Sequence, residues 1–233
     1  MASLITLILL FTTPIFANVE KAIFLGPATI NIPLAHPTLT DLNLDTLTPN
    51  TSTLHTKLTA SFPSPFNPHG SSTWLILDNL IPSQRYEVRI CWAATQPTSF
   101  TLTPYTLSYV FDTPDLITSL NNYSLTRLPS SSSLNHHQAK GERQTSLLLL
   151  HIQSAADYFT SNSTLMKHVP PVDVDIILDP FLLNVLPRSL APTVIYIVIV
   201  AIASLFLSSQ IASWVQGLAM TVPSEVLDNK KQQ

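Results

Sequence analysis

Residues Leu77 to Trp92 read LDNLIPSQRYEVRICW. From Arg85 onward the apolar positions alternate. In an extended strand Tyr86, Val88, Ile90 and Trp92 share one face, while Glu87, Arg89 and Cys91 point the other way. The first face is aromatic and β-branched, the composition of a strand laid against a core.

Outward from this strand the same rhythm recurs between proline-marked breaks. Lys21 to Leu25, Leu39 to Leu47, Leu54 to Phe62, Thr73 to Leu77, Phe100 to Leu107, Leu147 to Ile152 and Val172 to Leu178 are all rich in apolar, β-branched and aromatic residues. Several alternate with period two, as in Leu39, Asp41, Leu42 and Leu44. Short strands at this spacing predict a mainly β domain, an antiparallel sandwich. The spacing Leu80, Pro82, Tyr86 resembles the corner of immunoglobulin-like and fibronectin type III domains, where a tyrosine hydroxyl bonds back to the preceding loop. No comparably long helical pattern precedes residue 188. Leu128 to Gln144, LPSSSSLNHHQAKGERQ, breaks the rhythm with serines and charges and predicts a flexible loop within the domain.

The second decisive stretch is Ala191 to Trp214, APTVIYIVIVAIASLFLSSQIASW. It lies in a segment, Ser189 to Ser224, without Asp, Glu, Lys or Arg. Crossing a bilayer core takes about 20 apolar residues. About ten Val, Ile, Leu and Phe side chains give roughly −3 to −6 kcal/mol of insertion energy, with no charge to oppose it. The reading is one transmembrane helix.

The N-terminus, MASLITLILLFTTPIFA, has an apolar centre too short to span and a small residue at Ala17. It has the form of a secretory signal peptide over 1–17, although its first residues lack Lys or Arg. Cleavage there makes 18–187 a lumenal β-rich domain and 215–233 a cytosolic tail, a single-pass type I arrangement. Lys230 and Lys231 then resemble the dilysine retrieval signal of endoplasmic reticulum membrane proteins. Three N-glycosylation sequons, at Asn50, Asn122 and Asn162, fall in the lumenal part.

Composition narrows the chemistry. The chain of 233 residues carries a net charge of −3 with only 11% charged residues, so nothing points to a nucleic-acid partner. Its single cysteine, Cys91, excludes an internal disulfide and is expected buried. The glycines at 26, 70, 141 and 217 are too far apart for a phosphate-cradling loop. His136 and His137, with His151 beyond them, read as solvated loop residues rather than zinc ligands, since no spaced ligand set accompanies them. Asp173-Val174-Asp175 looks like the metal-binding DxD of some glycosyltransferases, but on a strand two such side chains also suit a solvated face. No catalytic set, metal site or cofactor is expected.

Asp179 to Leu190 leads into the membrane. Its apolar stretches are broken by Pro187, with Arg188 at the interface and Pro192 just beyond. It reads as a segment that lies on the bilayer or meets another membrane protein, with Phe181, Leu182, Leu183 and Leu186 dipping in.

RYEVRICWAATQPTSF (85–100) and DPFLLNVLPRSLAPTVIY (179–196) resemble a fungal family of small type I membrane proteins. That family is the accessory subunit of the second GPI mannosyltransferase of the endoplasmic reticulum. The resemblance implies a non-catalytic protein that supports a multi-spanning catalytic subunit, which transfers the second mannose to the GPI precursor from dolichol-phosphate mannose. It carries over no catalytic residue. Asp179, Pro180, Phe181, Asn184, Pro187 and Arg188 are the expected partner or membrane contacts. Two other functions fit the same layout: an accessory role in another endoplasmic reticulum complex, such as the first GPI mannosyltransferase or a cargo-handling assembly, and a lumenal glycosyltransferase using Asp173 and Asp175.

Overall fold

The computed structural model describes residues 17–34, 38–65, 67–127 and 141–220. The expected signal segment up to Phe16, His136 and His137, and Lys230 and Lys231 of the expected retrieval signal lie outside them. Up to Pro187 the chain forms one unit; from Arg188 it forms a second.

In the first unit, the strand that opened the sequence reading is β6 (Arg85–Ala93). It lies between β1 (Ala17–Leu25) and β10 (Val172–Leu182), antiparallel to both. The far side of β10 pairs first with β4 (Thr53–Leu58) and then with the short β11 (Leu186–Pro187). A second sheet has the order β3 (Asp45–Leu47), β5 (Ser71–Leu77), β9 (Leu148–Ala156), β7 (Thr98–Tyr105). The expected antiparallel pairing holds apart from β3 and β5, which run parallel.

The two sheets bury one core. Tyr86, Val88, Ile90 and Trp92 from β6, with Val174, Ile176 and Leu178 from β10, meet Leu75 and Leu77 from β5 and Leu150 and Ile152 from β9. The alternation read from the sequence thus selects the core face correctly. Trp92 closes edge-on against Phe100 of β7, with ring centroids 4.7 Å apart.

The second sheet is buried on both faces. Its other face carries Trp74, Ile76 and Leu149, which pack under two helices, α1 (Leu107–Asp112) and α2 (Pro114–Arg127). Both β5 and β9 therefore read as continuous apolar runs rather than alternating ones. The 14-residue α2 was not foreseen in the sequence, though it is well short of the 30-residue α4. Its Leu116, Leu120 and Tyr123 follow helical spacing and face Trp74, whose Nε1 donates to Ser119 Oγ at 3.1 Å.

Two further expectations change. Leu39–Leu42 is a 3₁₀ turn, not a strand: the Thr38 N–H donates to Asp41 Oδ2 at 2.7 Å, a cap that favours a helical start. Within the expected loop 128–144, Glu142 to Gln144 belong to β8 (Glu142–Thr145), which pairs with β2 (Ile30–Pro33). Arg143 Nη2 reaches Asp78 Oδ2 at 2.7 Å and Thr145 Oγ1 donates to Asp78 Oδ1 at 2.8 Å, so a nearly buried carboxylate anchors this strand. The rest of that stretch, 128–140, lies outside the described residues.

The first unit also holds a short helix α3 (Ser163–Lys167) between β9 and β10 in the chain; in the second unit, a 3₁₀ turn at Arg188–Leu190 leads into α4 (Ala191–Met220). At 1.5 Å per residue its 30 residues extend about 45 Å, enough to cross a bilayer. The most apolar 18-residue stretch within Arg188–Gly217 has a mean hydropathy of 2.5. Apolar side chains are exposed all round α4, the pattern of a helix whose solvent is lipid.

Candidate partner-facing and membrane-facing site

Five of the six contact residues expected near the membrane, Asp179, Pro180, Phe181, Asn184 and Pro187, fall at one end of the first sheet, and Arg188 begins the second unit. The end begins with the corner between β5 and β6. The Tyr86 hydroxyl accepts the Ile81 N–H at 3.0 Å and donates to Gln84 Oε1 at 3.2 Å, the back-bond anticipated from the sequence. Burial pushes the Tyr86 phenol above its usual range, partly offset by the Ile81 bond, so the hydroxyl stays protonated. Gly26 sits against this corner, donating to Gln84 O at 2.8 Å. A Cβ at that position would come within 2.2 Å of Ile81 O, so the approach requires glycine.

Strands β10 and β11 form a hairpin clamped onto the same corner. Leu183 and Asn184 both take positive φ, 52° and 59°, and Val185 N–H donates to Leu182 O at 3.1 Å. Two positive φ values in succession are the signature of the tight hairpin turns whose twist matches the strands. Asn184 suits the position; Leu183 does not, at a cost of about 1–2 kcal/mol. Asn184 Oδ1 accepts the Arg85 N–H at 2.8 Å and its Nδ2 donates to Ser83 O at 3.0 Å. Gln84 Nε2 donates to Phe181 O at 3.1 Å. Three bonds therefore hold the hairpin to the corner.

The hairpin divides the expected contacts. Phe181 is turned inward instead of dipping into lipid: it is buried, paired with Pro187, and covered by the Arg85 guanidinium 5.8 Å from its ring centre. Leu186 and Pro187 are half-buried, and Pro180 likewise. The exposed members are Asn184 and Arg188. The apolar residues that project are Leu182, Leu183 and Val185, of which Leu183 is 96% and Val185 79% exposed. Val185, passed over in the sequence, becomes visible only once the turn is built.

Asp179 is buried on the outer face of the first sheet, opposite Glu87 of β6. Arg89 Nη1 stands 3.4 Å from Glu87 Oε1 and 3.6 Å from Asp179 Oδ2; Lys21 Nζ is 3.3 Å from Glu87 Oε2. Beside this network runs an exposed apolar edge, Val19, Ile23 and Leu25 of β1.

Farther along the same face, Asp173 and Asp175 face β4 rather than an open site. Asp173 Oδ1 is 3.3 Å from Lys57 Nζ, and Asp175 Oδ1 is 2.8 Å from His55 Nδ1. Among the described residues no three His, Cys, Asp or Glu side chains are grouped to hold a metal. Cys91 is half-buried on this face, not fully enclosed as expected; burial chiefly raises its pKa, with Arg89 opposing.

His151 is likewise no solvated loop residue. It lies buried in β9, stacked on Trp74 at 4.3 Å, with Nε2 3.0 Å from Ser72 Oγ. Burial lowers its pKa to about 4. The sequons Asn50, Asn122 and Asn162 are all exposed.

A polar groove of about 710 Å³, unforeseen from the sequence, runs between α2 and β4–β5, lined in part by Asp45, Lys57, Ser72, Asn122 and Arg127.

The family model described as GPI-mannosyltransferase II co-activator, Pga1, matches residues 9–211. The chain belongs to the Pga1 family. The match runs from the N-terminal apolar segment through the β domain into α4, so it covers both motif stretches on which the resemblance was based. No curated protein and no solved structure gives a significant match. Membership in Pga1 makes the protein a non-catalytic accessory subunit in GPI-anchor biosynthesis, with a mannosyltransferase as partner.

Proposed function

We propose that this protein supports the multi-spanning catalytic subunit of the second GPI mannosyltransferase, which moves mannose from dolichol-phosphate mannose onto the GPI precursor as its second mannose. The observation that carries the reading is the co-activator family match over residues 9–211. The protein is a single-pass type I protein of the endoplasmic reticulum membrane: 1–17 is a signal peptide, 18–187 a lumenal domain, 191–214 the span and 215–233 a cytosolic tail with its Lys230–Lys231 address. One apolar helix and three exposed sequons before it support this arrangement. The lumenal domain is an immunoglobulin- or fibronectin-III-like sandwich; the Tyr86 corner and the two sheets sharing a core support that assignment.

Depletion of the protein tests the function. GPI precursors bearing one mannose should accumulate, and the immunopurified protein should bring a multi-spanning mannosyltransferase with it. Unchanged GPI intermediates after depletion would exclude this role.

A further inference from the structure

We infer that the turn Leu182–Val185 is a rigid apolar foot seated in the headgroup–acyl boundary of the bilayer that α4 crosses. The inference rests on α4 being a span, and not on the identity of the catalytic partner.

Three observations converge on it. Leu183 and Val185 are 96% and 79% exposed, projecting from the turn that joins β10 to β11. A protein partner would have to supply a matching hollow, whereas lipid closes around a protrusion of any shape. The turn is also held firmly while exposing these groups: Asn184 bonds to Ser83 and Arg85, and Gln84 to Phe181 O. A leucine kept at φ 52°, where glycine or asparagine is the ordinary choice, is a local strain of the kind found where a side chain has work to do.

The third observation is chain continuity. Only Arg188–Leu190 separate Pro187, which ends the hairpin, from Ala191, which begins α4. Four residue steps reach at most about 14 Å, so only a short tether joins the hairpin to α4. Ile81 and Leu25, both exposed, belong to the same end through the Tyr86 corner and the Leu25–Arg85 pairing. Exposed Arg188 supplies a cation suited to phosphate headgroups.

The test uses the full chain in phosphatidylcholine nanodiscs containing a trace of phosphatidylcholine with a diazirine at the headgroup–acyl boundary. After irradiation and proteolysis, mass spectrometry should find lipid adducts on Leu182–Val185 as well as near the ends of α4. None should appear around Phe159, which follows β9 at the opposite end of the domain and is 90% exposed. The paired changes Leu183→Asn and Val185→Asn should lower the adduct yield on this peptide several-fold, with an unaltered near-ultraviolet circular dichroism spectrum confirming the fold. Adducts on α4 with an unmodified Leu182–Val185 would overturn the inference and leave the span intact. A chain that fails to remain with the discs would remove both. Adducts that vanish when the catalytic subunit is reconstituted alongside would reassign the foot to a protein contact and overturn the lipid assignment.

Discussion

Glu87 and Asp179 stand opposite each other on neighbouring strands, both buried, and a single arginine, Arg89, reaches both carboxylates. Two like charges can share a poorly solvated place only if cations balance them, and Arg89 with Lys21 does so. Arg89→Met keeps the packing of the stem but removes the charge. Because the arginine is itself about a quarter exposed, water offsets part of the loss, and the expected destabilisation is about 2 kcal/mol. Urea unfolding of the full chain in detergent reads it out. Arg89→Lys should recover part of the loss, and an unchanged midpoint for Arg89→Met would show that solvent already screens the carboxylates.

His151 makes stability depend on pH. Buried against Trp74, it binds its proton with a pKa of about 4 when folded, against its ordinary 6.5. Between those values the unfolded chain holds more protons than the folded one, so stability falls as pH drops from about 6.5 toward 4 and is retained above. The full difference amounts to about 3 kcal/mol. His151→Gln keeps a polar group near Ser72 and should flatten this part of the stability–pH curve. Thermal unfolding at several pH values compares the two proteins; equal slopes would place the pH sensitivity elsewhere.

The Tyr86 corner gives a third measurement. Tyr86→Phe leaves the ring in the core, stacked near Phe24 at 5.8 Å, and deletes the hydroxyl that accepts the Ile81 N–H and donates to Gln84 Oε1. A partly buried N–H without its partner costs about 1–2 kcal/mol. The same loop carries the bonds from Ser83, Gln84 and Arg85 to the β10–β11 hairpin. Hydrogen exchange should therefore accelerate at Ile81 and at Val185 together. Faster exchange at Ile81 alone would show that the corner and hairpin move independently.

What the sequence disclosed and what it concealed follow from how many faces of each element are buried. β6 has one apolar face, so period two declared its strand and its core side, while the tyrosine bond was suggested by the corner-like spacing of Leu80, Pro82 and Tyr86. The long apolar helix α4 was plain because it has neither a charge nor a polar stripe to interrupt its run of apolar residues. In contrast, β9 is covered on both sides, so LLLLHI showed no alternation, and the polar His151 looked like the edge of a loop although sheet and helices enclose it. The helix α2 is mostly Thr, Ser and Asn outside Leu116, Leu120 and Tyr123, and such a short polar helix is held by Trp74 and its neighbours rather than by propensity. Thr113-Pro114-Asp115 was the local start signal that could have found it. Phe181 was read as lipid-facing because nothing in one dimension shows that β11 folds back beside it or that Arg85 lies over its ring. Conversely, the polar Asn184 proved to be the fastener, and the projecting residues are its apolar neighbours.

Leu183 tests whether that projection is kept at the expense of stability. Asparagine accommodates positive φ far better than leucine, because its short polar side chain interacts with the local backbone. Leu183 is almost wholly exposed, so replacing it removes little packing. Leu183→Asn should therefore raise the stability of the domain by about 0.5–1 kcal/mol, a gain opposite in sign to that of most substitutions. If the leucine has a role at the membrane, the stabilised variant should at the same time complement a depleted cell less well than the native protein, with GPI precursors bearing one mannose as the readout. A rise in the unfolding midpoint with weaker complementation would identify a side chain selected for contact rather than for folding. A fall in the midpoint would mean that the turn is not strained at Leu183 and that its exposed side chain stabilises the hairpin in a way the local geometry does not reveal.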